Sequence, residues 1–240
     1  LHPLQAKHLI LMCGRYSTGK VSKKKFETTL SIKLENIPSR YNISPGQDNP
    51  VITRHKGIAP LSSMRWGLVP NWAKDPNPKI KPINARTETL SEKPSFKELL
   101  LKQRCLIPAD GYYEWQVLGT DKIPHYIHLP KMPTFAFAGI WDNWQGDNLK
   151  PLFSYTIITT KAAEPIQFIH HRMPVILPEK HWQEWLDPSF PIHSLPEVLQ
   201  GAKNDCTYRT VSDLVNKVSN DGPELIAPIP RKKQDEFDFI

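Results

Sequence analysis

The stretch Arg104-Cys105-Leu106-Ile107-Pro108-Ala109-Asp110-Gly111-Tyr112-Tyr113-Glu114-Trp115-Gln116 decides the fold class. Two strand candidates, Arg104–Ile107 and Tyr112–Gln116, follow each other here with only Pro and Gly signals between them. The pattern continues outward. His125–Leu129, Phe135–Trp141 and Phe153–Thr160 read as strands downstream, and Val51–His55 and Met64–Val69 upstream. Shorter strands are predicted at Val175–Leu177 and Tyr208–Val211. Helical spacing is confined to short pieces. One runs from Ser22, a possible N-cap, through Phe26, Leu30 and Leu34; others are Ser95–Gln103, Glu179–Leu186 and Pro196–Gln200. Strands in runs, without regular alternation with long helices, argue against a doubly wound parallel sheet. They predict one α+β domain with a curved, largely antiparallel sheet.

Composition sets the outer bounds. A chain of 240 residues, 39% hydrophobic and 23% charged, is an ordinary globular length and make-up with room for a substantial core. No apolar run approaches the roughly 18 residues of a membrane helix. Lys and Arg outnumber Asp and Glu by 31 to 24, and the net charge of +7 admits a polyanionic partner without requiring one. Proline, at 24 residues, is about twice as frequent as usual, which fits turns between short strands. Cys13, Cys105 and Cys206 are far apart and form no CxxC, so neither a disulfide framework nor a zinc ribbon is indicated. A reducing, cytosolic compartment follows as the default. The apolar run before Cys13 is four residues, short of the roughly 7–15 of a signal peptide.

Several residues could carry chemistry. Cys13 stands in Met12-Cys13-Gly14-Arg15-Tyr16. With Met12 removed, it would present a thiol and a free α-amine on neighbouring atoms. An α-amine has an ordinary pKa of about 7.7–8.0 against about 10.4 for lysine, so far more of it is unprotonated at neutral pH. Such an amine attacks an aldehyde to form an imine, and the adjacent thiol can close a thiazolidine ring. The plainer reading is a small buried hydrophobe. For Glu114, strand alternation puts Tyr113 and Trp115 on one face and Tyr112 and Glu114 on the other. A carboxylate bracketed by aromatics is open to desolvation and acid/base work; an outward-facing strand Glu is the alternative.

Asn84, Arg86 and Glu88 alternate, which on an extended chain makes one polar strip with a phosphate donor. His170 and His171, beside Arg172, can shuttle protons or meet phosphate, or form a surface pair. Adjacent histidines on a strand face opposite ways and no HExxH occurs, which speaks against zinc. Arg15, Arg40, Arg86, Arg104 and Arg172 are embedded among apolar or aromatic residues and suit a phosphate channel better than Lys23-Lys24-Lys25, a solvated helix face. Trp66 and Trp72 offer stacking surfaces for single-stranded nucleic acid, with core packing the alternative, above all for Trp66. Trp72 lies in a polar, Pro-rich loop between Asn71 and Pro82.

Taken together, these segments resemble the SRAP family, the SOS-response-associated peptidases or abasic-site processing proteins. The matching motifs run in order. They are Met12-Cys13-Gly14-Arg15-Tyr16, Arg40-Tyr41-Asn42-Ile43-Ser44-Pro45, Trp66-Gly67-Leu68-Val69-Pro70-Asn71-Trp72 and Ile83-Asn84-Ala85-Arg86-Thr87-Glu88-Thr89. Residues 104–115, Ile169-His170-His171-Arg172-Met173-Pro174 and Val215-Asn216 complete the set. The resemblance implies a single α+β domain built on a barrel-like sheet flanked by short helices. It implies an autopeptidase that exposes Cys13, binds single-stranded DNA and links covalently to the aldehyde of an abasic site, with lyase-type activity besides. On this resemblance Cys13, Asn84, Glu114 and His170 are catalytic, and Arg15, Trp72, Arg86 and Arg172 contact DNA. No metal or cofactor is implied, and the chain is expected to act as a monomer in the cytoplasm, on the nucleoid when bound to DNA. The other function classes are a thiol peptidase acting on other proteins and a non-catalytic single-strand binding module.

One departure bears on the chemistry. Residues 1–11 precede Met12, whereas thiazolidine closure needs a free amine on Cys13. The expectation is that residues 1–12 are a leader or the product of a misassigned start, that 13–230 form the domain, and that 231–240 are a loose tail.

Overall fold

The computed structural model describes residues 13–54, 56, 58, 60–146, 150–199 and 205–229. The expected leader at 1–12, the tail from Arg231 and the element ends expected at His55 and Gln200 lie outside the described residues. The first half of the chain contributes β1 (Arg15–Ser17), α1 (Lys23–Leu30), β2 (Asp48–Ile52), β3 (Leu61–Trp66), β4 (Asn84–Arg86) and α2 (Pro94–Lys102). The long strands follow: β5 (Arg104–Ala109), β6 (Gly111–Leu118), β7 (Asp121–His128), β8 (Phe135–Trp144) and β9 (Leu152–Lys161). After them come β10 (Arg172–Pro174), β11 (Ile176–Leu177), α3 (Trp182–Leu186), α4 (Leu195–Val198) and β12 (Thr207–Thr210).

Alternation in β8 explains the layout. Phe135, Phe137 and Trp141 point to one side, into a cluster with Tyr16, Trp66, Tyr112 and Tyr155. Ala136, Ala138 and Ile140 point to the other, where Phe26, Phe96, Trp182 and Trp185 cover them. Both faces are therefore dry, with bulky side chains inside and small ones beneath the helices. The pairing order is β10-β9-β3-β2-β5-β8-β11, with β4 also on β9. Because β9 pairs with β8 as well, the path β9-β3-β2-β5-β8 returns to its start and the sheet curls into a ring. Pairings are antiparallel except those of β3 and β4 with β9. Indole N–H groups fasten the helical layer: Trp185 donates to the Cys105 carbonyl at 2.8 Å and Trp182 to that of Leu177 at 3.1 Å.

A second sheet, β1-β6-β7-β12, leans on this ring. The chain passes from ring to second sheet at Asp110, between β5 and β6. The buried Asp110 carboxylate accepts from the Ser17 hydroxyl, from the Lys20 N–H at 2.6 Å and from the Tyr126 hydroxyl at 3.2 Å. Gly111 is required there because a Cβ would lie 2.1 Å from Cζ of Tyr126.

The longer strands overlap their expected positions, although β2 begins and ends three residues early and β7 begins four residues early, and local backbone geometry accounts for several other differences. Helix α1 stops at Leu30, because Ser31 takes a left-handed φ of 53°, although Leu34 is buried against the same cluster. Strand β3 ends at Trp66, ahead of Gly67 with φ 123°. The strand expected at Val175–Leu177 is the two-residue β11 on β8, and a separate strand, β10, precedes it at Arg172–Pro174 on β9. The region 179–186 opens as a 3₁₀ turn before α3. Glu88 leaves the expected polar strip: the chain turns into a 3₁₀ segment at Thr87–Thr89, so alternation ends at Arg86.

Candidate active site

Strand β6 carries Glu114. Tyr113 packs with Tyr126 and Val215, and Trp115 lies against that cluster. Tyr112 packs on the opposite side, in the ring interior, and Glu114 shares its face. Glu114 is 2% exposed, and its Oε1 accepts a hydrogen bond of 2.8 Å from the backbone nitrogen of Cys13. Burial raises the carboxyl pKa to about 8, against a smaller lowering by its contacts with Cys13. Cys13 is itself buried, and burial, with Glu114 beside it, pushes its thiol well above the ordinary value. Its φ is 44°, a left-handed conformation that costs a non-glycine residue about 1–2 kcal/mol.

Arg172 brings β10 to this pair, for its positive charge acts on the Cys13 thiol. The guanidinium is held by the carboxylate of Glu88 through Nη1 at 2.6 Å and Nη2 at 3.0 Å, and by the Thr159 carbonyl at 2.7 Å. This fork keeps the Glu88 pKa at about 2. Glu88 thus meets Arg172 from the 3₁₀ turn and not from a strand. The backbone N–H of Arg172 donates to Nδ1 of His170 at 3.1 Å. The Arg172 carbonyl also faces Nδ1, at 3.3 Å, so these contacts fit either neutral tautomer, and Nε2 is buried without a partner. Burial lowers the His170 pKa, so the neutral imidazole is the favoured form.

The remaining expected residues fall into two groups. Arg86, exposed at the end of β4, lines a cleft of about 410 Å³ with Lys161, Ala162, Gln167, His171 and Arg172. Asn84 sits two residues away, in register with Ile157 of β9. Trp72 is 71% exposed on its loop, which is fixed by Trp144 Nε1 to the Ala73 carbonyl (2.6 Å) and the Asn71 N–H to Asp142 (2.8 Å). By contrast, the half-buried Arg15 is engaged by the protein itself: Nη1 donates to Asn42 at 2.7 Å and to the Val215 carbonyl at 2.6 Å, with Trp115 beside it. Arg104 is buried with its donors on the carbonyls of Leu100, Trp185 and Asp187, so it is a fastener for α2 and α3, and Arg40 pairs with Asp221. Neither Arg104 nor Arg40 lines the cleft. Trp66 is core, stacked on Tyr155 at 6.4 Å.

Two features escaped the sequence. The buried hydroxyl of Tyr112 has no partner, and the charges that act on it are those of Cys206, Cys13 and Glu114. His125 sits opposite Glu114 in the β6–β7 register, against Phe168 and Tyr208. Only the pairing of β6 with β7 could have revealed it. Among the described residues no group of three or more His, Cys, Asp or Glu is placed to hold a metal ion, and no helix is long and apolar enough to cross a membrane.

Comparison with known proteins places the chain in a family. The profile of the family described as SOS response associated peptidase (SRAP) matches residues 12–218. Abasic site processing protein YoqW of Bacillus subtilis is 45% identical over 224 residues, covering 90% of this chain and 99% of that protein. Abasic site processing protein HMCES of Gallus gallus is 37% identical over 222 residues, covering 79% of this chain and 66% of its own. A solved structure from Bacteroides thetaiotaomicron superposes with a TM-score of 0.78 at 26% identity, over 91% of this chain and all of that one.

Proposed function

The chain belongs to the SOS response associated peptidase family, and from that premise we propose that it processes abasic sites in single-stranded DNA by forming a covalent link through Cys13. The observation that carries this reading is the 2.8 Å hydrogen bond from the Cys13 nitrogen to the buried Glu114 carboxyl. A carboxyl with a pKa near 8 gives and takes protons at neutral pH, and it sits on the atom that must be a leaving group first and a nucleophile later.

Cleavage between Met12 and Cys13 adds water across the peptide bond. Glu114 as the acid delivers a proton to the departing nitrogen. Hydrolysis also removes the carbonyl carbon that defines φ of Cys13, so the left-handed strain is released with the bond. The freed α-amine then attacks the ring-opened sugar aldehyde to give a carbinolamine, which loses water to form an imine. Finally the thiol adds across the C=N bond, sulfur to carbon and proton to nitrogen, closing the thiazolidine. The thiol pKa is raised, so the amine leads and the thiol follows, and a stand-alone thiol peptidase is poorly served by this cysteine. In the tautomer whose Nδ1 accepts from the Arg172 N–H, His170 carries its proton on the unpartnered Nε2 and is suited to donate to the sugar oxygen as the ring opens. The cleft lined by Arg86, Lys161 and Arg172 suits the phosphates beside the lesion, and Trp72 offers an exposed stacking face.

The test is a single-stranded oligonucleotide with one aldehydic abasic site, incubated with the protein and run on a denaturing gel. The expected adduct survives denaturant and has the summed masses of protein and DNA less one water. Its persistence in Cys13→Ala, or its formation by chains whose intact mass still includes Met12, would overturn the proposal.

A further inference from the structure

Phe168 and Tyr208 are 49% and 43% exposed. Lone exposed apolar side chains are ordinary, but these two touch, with ring centroids 5.0 Å apart at 67°. Both also rest on His125, at 6.1 and 5.6 Å and 79° in each case. Their neighbours place this trio on the reactive face. His125 pairs with Glu114 across β6 and β7, so the two side chains stand side by side on one face of the sheet. Tyr208 and Thr210 lie on that face too, in register with Ile127 and His125. Phe168 stands two residues before His170, on the segment whose Gln167 and His171 line the cationic cleft. The segment 166–172 is thus a ridge between two surfaces, aromatic on one flank and cationic on the other.

We infer that Phe168 and Tyr208, backed by His125, form a stacking platform for the nucleobase next to the lesion. The inference rests on the single-stranded DNA reading above and names a further contact for it. An abasic site has no base of its own, so its neighbours are the only aromatic surfaces the strand can offer near the reacting carbon. Base-on-ring stacking tolerates any sequence, since every base has a π face. The rings meet edge to face, an arrangement that leaves ring face at the surface for a flat partner. His125 is oriented by Gln116 at 3.3 Å, and burial keeps its imidazole in the neutral form, so the trio adds an uncharged surface beside the phosphate cleft.

The experiment uses the chain processed to Cys13 and single strands bearing a tetrahydrofuran abasic analogue, which binds but cannot crosslink. A 2-aminopurine occupies the 5′ or the 3′ neighbour of the lesion. Wild type is expected to quench the probe on one side only. Phe168→Ala/Tyr208→Ala is expected to restore its fluorescence and to weaken binding about 5- to 150-fold, the span of base–aromatic stacking. Phe168→Tyr, which keeps the ring, is expected to behave as wild type, and matching thermal melts establish that the double variant is folded. Unchanged quenching and affinity in the double variant overturn the platform, as does absence of quenching by wild type at either position. Normal DNA binding by the processed double variant, with slow loss of Met12 from its unprocessed form, would assign the patch to the leader peptide, and also overturns it. The function reading fails separately, if wild type forms no denaturant-resistant adduct with the aldehydic strand.

Discussion

Glu114 makes stability depend on pH in a way that isolates it from the rest of the molecule. Its carboxyl is protonated up to about pH 8 in the folded protein, against the ordinary 4.5. Between those values the native state holds a proton that the unfolded chain has released. Stability then falls as pH rises, at about 1.4 kcal/mol per pH unit. The advantage is fully present below 4.5 and gone once pH exceeds 8. From pH 5 to 7 the loss comes to about 2–3 kcal/mol, allowing for the part of the unfolded chain still protonated at pH 5. Glu114→Gln has no proton to lose, so its stability lacks this slope, and every other titrating group cancels in the comparison. The assay is urea unfolding of both proteins at pH 5, 6, 7 and 8, on chains of identical amino terminus verified by mass. The variant is expected to gain on wild type steadily with pH. Parallel curves would refute the claim that a desolvated carboxyl faces Cys13.

Three further outcomes follow from the packing. Gly111→Ala forces a Cβ into the ring of Tyr126 at the corner of the two sheets and should cost about 1–3 kcal/mol in urea unfolding. Tyr112→Phe removes a buried hydroxyl that has no partner, so stability should hold or rise by about 1 kcal/mol while the crosslink rate reports whether that hydroxyl meets the reacting sugar. Carboxyl-carbon NMR should find Glu88 titrating near 2, with the benefit of its pair with Arg172 present above 4.5 and lost as pH falls through 2; Arg172→Met should return it toward 4.5.

How much of the site was legible depends on how far apart its parts lie in the chain. Alternation within one strand placed Glu114 and Tyr112 together opposite Tyr113, because side-chain direction in a strand is set by its own backbone. The exposed Trp72 was legible from its polar loop, and the core role of Trp66 from its apolar run. Arginines were not legible in this way. Arg15, Arg104 and Arg172 sit in similar local sequences, yet Arg15 and Arg104 are spent on carbonyls from residues far along the chain, and only Arg172 reaches Cys13. Glu88 was read onto a strand that the chain leaves one residue earlier, and it found Arg172 across 84 residues of sequence.

By itself, the sequence determined the strand-rich α+β class and the ordered run of family motifs, and it singled out Cys13, Glu114 and His170 as candidates, since each is written in local spacing and side-chain chemistry. The tertiary structure alone decided that the Cys13 nitrogen lies 2.8 Å from a glutamate 101 residues away, that burial lifts that glutamate to about 8, and that His125 with two aromatics stands beside it. The reason is physical: desolvation and cross-strand register belong to the closed sheet, and no local stretch of chain contains them.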